Sequence, residues 1–162
     1  MAISYRLTSD ELSVLCWLTG NEKFSILDIN SNFNLEKFNT SFETLKNKGI
    51  VKEAEQGYII DPVVNYIVNI MSDSYVYLIG KNGGSIITFD KDMVLIMKRD
   101  MRDKRKWHIY PYKKFIDALM DDKESYLDDE LVLVYDRASG ETLECSWKAY
   151  CERVIKSEQG VN

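Results

Sequence analysis

Several residue types that would indicate a class of protein are scarce in this sequence. Two prolines and eight glycines among 162 residues exclude a collagen-like or linker-dominated chain. The three cysteines are odd in number and form no CxxC pair, which argues against the disulfide framework of a secreted domain and favours a cytoplasmic location. Cys16 falls on the apolar face of a predicted helix, so we expect it to pack in the core.

Histidines and long hydrophobic runs are scarce as well. The densest apolar run, Met93 to Met97, is far shorter than the roughly 20 residues that span a bilayer, so we expect no membrane span. The first residues lack the apolar core of a signal peptide, and none is expected. His108 is the only histidine, and neither HExxH nor CxxC spacing occurs. We therefore predict no catalytic residue, no cofactor and no metal site, and a protein that is not an enzyme.

Charge is plentiful but unevenly placed along the chain. The formal net charge is −5. Residues 81–120 carry ten basic and five acidic side chains, whereas residues 1–80 carry six and ten and residues 121–162 carry five and eleven. Most non-specific nucleic-acid binding comes from the attraction between basic side chains and phosphate groups. The net negative charge of this chain opposes that attraction, so DNA is not the expected partner.

The most concentrated charge is a basic run over residues 98–106. Such a run is typical of an exposed loop between two strands, here partly neutralised by Asp100 and Asp103, or of a contact for nucleic acid or an acidic protein surface. We predict that it binds a partner protein. The predicted contact residues are Lys98, Arg99, Arg102, Lys104, Arg105, Lys106 and Trp107.

Residues 1–72 predict a winged-helix-like part. A capping box of Thr8 and Glu11 begins one helix, which ends at Gly20. Asn34 is placed to cap a second helix over 35–48, ended by Gly49, and residues 50–60 predict a hairpin. A short element at 25–29, either helical turn or strand, lies between the two helices. Helix, short element, helix and two-stranded wing is the order of a winged helix.

Residues 73–162 predict an antiparallel sheet backed by helices, preceded by a helix that starts at Asp61-Pro62 and has an apolar surface wide enough to lie between layers. Period-two patterns place strands at 75–79, 85–89, 93–98, 107–110, 131–135 and 142–145. Pro111 is expected to open a helix that carries residues 112–119. An acidic connection at 121–130 and a closing helix over 147–155 complete an α+β chain, whose two parts we expect to pack as one unit.

Three features of the sequence resemble the EspG-like family of type VII secretion systems. They are the run Leu7-Thr-Ser-Asp-Glu-Leu-Ser-Val-Leu15, the run Leu45-Lys-Asn-Lys-Gly-Ile-Val51 and the strand meander with a helix behind it. The resemblance implies a mixed α/β fold and a cytoplasmic chaperone that holds helical-hairpin secretion substrates before export. Members of that family are built from two similar halves. This chain resembles little more than one half, so a homodimer could stand in for the other.

Two other functions stay open at this point. A winged helix could serve a transcriptional regulator, although the helix over 35–48 offers only Lys37, Lys46 and Lys48, with Glu36 and Glu43 beside them. The acidic stretch at 121–130 would suit an immunity protein that blocks a toxin. A non-catalytic adaptor for a secreted helical protein is the function that we predict.

Overall fold

The computed structural model describes residues 4–21, 34–73, 76–80, 85–89, 93–114, 117, 130–136 and 139–158. Nine strands and four helices are defined within these residues. The strands are β1 (Tyr5–Thr8), β2 (Val51–Ala54), β3 (Gly57–Ile60), β4 (Val76–Gly80), β5 (Ser85–Phe89), β6 (Val94–Arg99), β7 (Lys106–Tyr112), β8 (Leu131–Asp136) and β9 (Thr142–Ser146). The helices are α1 (Ser9–Thr19), α2 (Leu35–Asn47), α3 (Pro62–Asp73) and α4 (Trp147–Glu158).

Seven strands form one antiparallel sheet in the order β1-β7-β6-β5-β4-β8-β9. Strands β4 to β7 follow one another as the predicted meander. The hairpin of β8 and β9 is added beside β4, and β1 is added beside β7 at the opposite edge. The α+β class expected from the sequence is confirmed.

The first two helices begin and end at the residues that the sequence indicated. Thr8 Oγ1 accepts from the backbone N–H of Glu11, and the Glu11 carboxylate accepts from the N–H of Thr8, which completes the capping box. The Asn34 side chain accepts from the N–H of Lys37 at the start of α2. Gly20 follows α1 in the left-handed conformation, with φ of 73°, which an L side chain rarely adopts. The strands β2 and β3 form the predicted hairpin, while the short element at 25–29 lies outside the described residues.

Helix α3 packs against both α1 and the large sheet, and most of its apolar surface is buried, although Val63 and Tyr66 are exposed. Asp61 Oδ1 accepts from the N–H groups of Val63 and Val64, so it caps the helix one residue before Pro62. The helix contacts both α1 and β5. Its buried apolar side chains are Val64, Ile67, Val68, Ile70 and Met71.

The sheet carries a hydrophobic core on each of its two faces. Successive residues of a strand point to opposite faces, and in β6 both sets are buried. Leu95 and Met97 belong to the core that contains α1 and α3. Val94 and Ile96 belong to a second core, built with Trp147 and Tyr150 of α4. Because the first core draws residues from both sides of residue 72, the two predicted parts pack together.

A single buried carboxylate joins β1, α1 and α2. The Glu11 residue is 2% exposed. Besides the capping bond to Thr8, its Oε1 accepts from Thr44 Oγ1 at 2.8 Å, and its Oε2 accepts from Lys48 Nζ at 2.8 Å. The same ammonium group donates to the carbonyl of Arg6 in β1 at 3.2 Å. Three donors, one of them the positively charged Lys48, therefore replace the water that the carboxylate loses on burial.

The structure corrects the sequence prediction in two places. Strand β1 was not predicted, because its four residues gain a sheet partner only through β7. Pro111 does not open a helix: Pro111 and Tyr112 end β7, where Pro111 lies opposite Leu95. Strand β1 pairs only with residues 106–109 of β7. The C-terminal end of β7, which contains Pro111, therefore lacks β1 as a neighbour and tolerates a residue without an N–H. Half of the predicted helix at 112–119, and residues 121–129 of the acidic connection, lie outside the described residues.

Replacement of Glu11 by Ala should destabilise the protein by about 3 kcal/mol, since Thr44, Lys48 and the Thr8 N–H would lose their shared acceptor. Urea unfolding followed by circular dichroism measures the change. Glu43→Ala is the matched control, because Glu43 is a largely exposed carboxylate paired with Lys46 on α2 and should cost less than about 1 kcal/mol. Equal losses in the two variants would contradict a structural role for the buried carboxylate.

Candidate functional site

The basic run forms an ordered turn between β6 and β7, which we call the basic loop (residues 100–105). Asp100 Oδ1 accepts from the N–H groups of Arg102 at 2.8 Å and Asp103 at 3.0 Å. Two backbone bonds close the turn, from Asp100 N–H to the Lys106 carbonyl and from Lys106 N–H to the Asp103 carbonyl, each at 2.9 Å. The aspartates within the basic run therefore fix the shape of the loop as well as offsetting its charge.

His108 supports the basic loop from β7. Its Nε2 lies 2.8 Å from Asp100 Oδ2, and both side chains are mostly buried. The pKa of Asp100 is lowered, chiefly by this hydrogen bond and then by the N–H groups of Asp103 and Arg102. The only histidine of the chain is thus engaged in holding a turn.

Asp103 binds two of the cations in the run. The Arg105 guanidinium donates to both of its carboxylate oxygens, at 3.0 and 3.3 Å, and Lys106 Nζ lies 3.6 Å away. The guanidinium lowers the pKa of Asp103. The Arg105 carbonyl accepts from the N–H of Ser9 at 2.8 Å, so the basic loop is also tied to the first turn of α1.

Trp107 is a core residue and is removed from the predicted contact set. It is 1% exposed, and its Nε1 donates to Ser9 Oγ at 3.1 Å. The Arg99 guanidinium lies 4.6 Å from the centroid of the Trp107 ring, a cation–π contact that holds Arg99 along the sheet. Lys98 is half-buried, with its ammonium group 5.7 Å from the Tyr110 ring.

The accessible part of the predicted site is the outer side of the basic loop. Met101 is 95% exposed, and Arg102 and Lys104 are exposed beside it. No ion pair within the described part of the chain engages Arg102 or Lys104. Of the seven predicted residues, these two cations are the most available to a partner, whereas Arg105 and Lys106 share Asp103.

A second surface was missed by the sequence analysis and consists of four aromatic rings, Trp17, Phe38, Phe42 and Tyr58, which we call the aromatic row. The Trp17 and Phe38 centroids are 5.2 Å apart, Phe38 and Phe42 6.1 Å, and Phe42 and Tyr58 4.8 Å. The row crosses α1, α2 and β3. Its two ends are its most exposed members, Trp17 at 70% and Tyr58 at 53%.

Leu35, Phe38, Phe42 and Leu45 recur along α2 at the three- and four-residue steps of an amphipathic helix, but only part of this face is buried. Leu45 is fully buried, but Phe38 and Phe42 are only half-buried and Leu35 is exposed. Trp17 falls outside the apolar face of α1 that Leu12, Leu15 and Cys16 define. A tryptophan off the buried face of a helix was the available signal for a surface site. Cys16 itself is buried as expected, and burial raises the pKa of its thiol to about 12.

Two of the three lysines that a DNA-binding winged helix would use, Lys46 and Lys48, are engaged within the protein. Lys46 Nζ lies 2.7 Å from Glu43 and 3.3 Å from Glu53, and the hydrogen bond to Glu43 is the main cause that raises the pKa of Lys46. Lys48, which follows the helix, is bound to Glu11. These ion pairs reduce the cationic charge that α2 offers to phosphate.

Within the described ranges, no cluster of three or more histidine, cysteine, aspartate or glutamate side chains is placed to hold a metal ion. None of the helices in the part of the chain that was searched is long and apolar enough to cross a membrane. No family model and no curated protein sequence matches the chain. The similarity to the EspG-like family therefore stays a prediction from the residues quoted above.

The Asp100 hydrogen bonds give a pH-dependent prediction for the basic loop. The pKa of Asp100 lies below its ordinary value of 3.8, so its carboxylate stabilises the fold above that pH and loses this effect as the pH falls through the folded pKa. The melting temperature of Asp100→Asn should therefore be lowest relative to the parent near neutral pH, and the two should converge in acid.

Thermal unfolding over a series of pH values measures this difference. Glu55→Gln is a suitable control, because Glu55 is an exposed carboxyl between β2 and β3 and its removal should change the melting temperature little at any pH. A difference between Asp100→Asn and the parent that does not shrink in acid would show that the charge of Asp100 is not what holds the turn.

Proposed function

We propose that this protein is a non-catalytic adaptor that holds an amphipathic helical segment of a partner protein along the aromatic row. The observation that carries the proposal is the continuity of the row: four rings in mutual contact cross two helices and a strand, and the rings at both ends are more than half exposed. Exposed aromatic surface of this kind is costly in water and is typical of a protein-binding site.

The spacing of the row suits a helix as its occupant. Adjacent rings are separated by 4.8 to 6.1 Å. An α-helix rises by about 5.4 Å per turn, so a helix lying along the row would bring one apolar side chain per turn to successive rings. Such a helix would need apolar residues at i, i+3 or i+4, and i+7, which is the pattern of helix-in-groove recognition.

The row is also held in place before a partner arrives. The Glu11 carboxylate binds Thr44 and Lys48 at the C-terminal end of α2, and this fixes α2 against α1. Phe42 is further bracketed by Tyr58 of the wing and by the Lys46 ammonium group, 5.1 Å from its centroid. A preformed surface loses little conformational freedom on binding, which favours affinity.

In this proposal the partner is a secreted helical substrate of a type VII secretion system, held in the cytoplasm before export. The residues at 7–15 and 45–51 that resemble the EspG-like family support this choice, as does the fit of the aromatic row to a helix. The homodimer that the resemblance suggests is part of the same proposal, with a second copy in the place of the missing half.

The double variant Trp17→Ala/Tyr58→Ala tests the proposal. Affinity capture from native lysate would recover a small helical partner with the parent protein, and titration of that purified partner would then compare variants. Removal of the two exposed end rings should weaken binding by about 30-fold or more, because aromatic anchors dominate such interfaces. The fold should be retained, since neither ring belongs to the buried core.

Tyr66→Ala is the matched control, because Tyr66 is an exposed tyrosine of α3 that is not part of the row. It should bind the partner as the parent does. Equal weakening by Tyr66→Ala and the double variant, or a recovered partner that remains bound when the row is removed, would contradict the proposal. If the protein bound the DNA upstream of its own gene in a salt-sensitive way, and captured no partner protein, the transcriptional-regulator alternative would be favoured.

A further inference from the structure

The basic loop presents an apolar side chain between cations. Met101 is 95% exposed. Arg102 and Lys104 follow it along the turn and are exposed, and Arg99 precedes it at the end of β6. A long, flexible apolar side chain with cations on either side makes the outer side of the loop amphiphilic.

This arrangement is rigidly supported. The Asp100 carboxylate accepts hydrogen bonds from the N–H groups of Arg102 and Asp103, and it is also hydrogen-bonded to the His108 ring on β7. The Arg105 carbonyl is bound by the N–H of Ser9 in α1. The exposed side chains are therefore displayed on a fixed backbone, so contact with a partner would not require the loop to become ordered first.

We propose that the basic loop docks reversibly on an anionic lipid surface, with Met101 entering the interface between headgroups and acyl chains and the cations pairing with lipid phosphates. Nucleic acid would use the cations and leave Met101 in water. An acidic protein would use Met101 only if it offered a matching pocket. A lipid surface uses both features and needs no pocket, because its interface accepts apolar side chains and its headgroups carry the opposite charge.

The charge distribution of the chain would orient this docking. Residues 98–106 carry six basic and two acidic side chains, whereas the rest of the chain carries 15 basic and 24 acidic side chains. An anionic surface would attract the basic loop and repel much of the remaining protein, so one orientation is favoured. One methionine and a few cations give weak attachment, which is consistent with reversible docking.

The docking site is separate from the aromatic row. Ser9, at the first residue of α1, contacts the basic loop, and Trp17, near the last residue, begins the row. The two residues are about 12 Å apart along the helix axis at 1.5 Å per residue. The lipid proposal does not rest on the proposed adaptor function, because it concerns other side chains and a different ligand.

Co-sedimentation with vesicles tests the lipid proposal. The full chain should bind vesicles made of equal parts of phosphatidylglycerol and phosphatidylcholine, and it should not bind vesicles of phosphatidylcholine alone. Each cation near an anionic surface strengthens binding about fivefold, so Arg102→Glu/Lys104→Glu should lower partitioning by about 25-fold or more. Met101→Ser should lower it about threefold or more, since the apolar contact is lost while the charge is kept.

Lys37→Glu/Lys52→Glu is the matched control, because it changes the net charge equally at two exposed lysines of α2 and β2. It should reduce vesicle binding much less than the loop variant. An equal reduction, equal binding to both kinds of vesicle, or no binding at all would overturn the proposal. So would a Met101→Ser variant that partitions like the parent, and that result would favour an acidic protein or a nucleic acid as the partner. Binding of the helical partner can be measured on the same variants without vesicles, so failure of one proposal is distinguishable from failure of the other.

Discussion

The arrangement of the N-terminal helices depends on one buried carboxylate and its donors. Glu11 accepts hydrogen bonds from Thr8, at the end of β1, and from Thr44 and Lys48, at the C-terminal end of α2. An unpaired carboxylate at this depth would be strongly unfavourable, so the ionised side chain is compatible with the fold only when α2 delivers its hydroxyl and ammonium groups. These bonds hold the C-terminal end of α2 beside the first turn of α1, while the contact between Trp17 and Phe38 joins the other ends of the two helices.

Helix α1 connects the two surfaces that the proposals concern. Its N-terminal turn receives the Arg105 carbonyl from the basic loop, and its C-terminal turn carries Trp17. Its middle is buried in the core that also contains β6 and β7. Because this helix is fixed by packing along its whole length, a protein held on the aromatic row would have a set position relative to whatever the basic loop contacts.

The sequence predicts the parts of this structure that local chemistry determines. The Thr8–Glu11 capping box, the Asn34 cap and the left-handed Gly20 each act within a few residues, and all occur where expected. The strands from β4 to β7 are recognisable because short apolar runs are separated by turn residues or by the charged basic run. The same logic fails for β1, whose pairing with β7 joins residues about a hundred positions apart in the chain.

Side-chain exposure was the least predictable property. Trp107 adjoins a basic run and could be taken for part of an exposed loop, but the register of β7 turns its ring into the core. Phe38 and Phe42 have the spacing of a core face, yet they contact one another and Trp17 at the surface. In each case the neighbours that decide burial come from another element, which periodicity along one helix or strand does not report.

The edges of the large sheet have a consequence for how the protein behaves at high concentration. Among the described strands, β1 and β9 are the two at the borders. The Lys48 ammonium group donates a hydrogen bond to the Arg6 carbonyl on β1, so this carbonyl is already bound. On the other border, Glu144 in β9 and Glu141 just before that strand would repel the same carboxylates of a second β9. Both features oppose the addition of a further strand at the borders of the large sheet, which lowers the tendency of two molecules to join edge to edge.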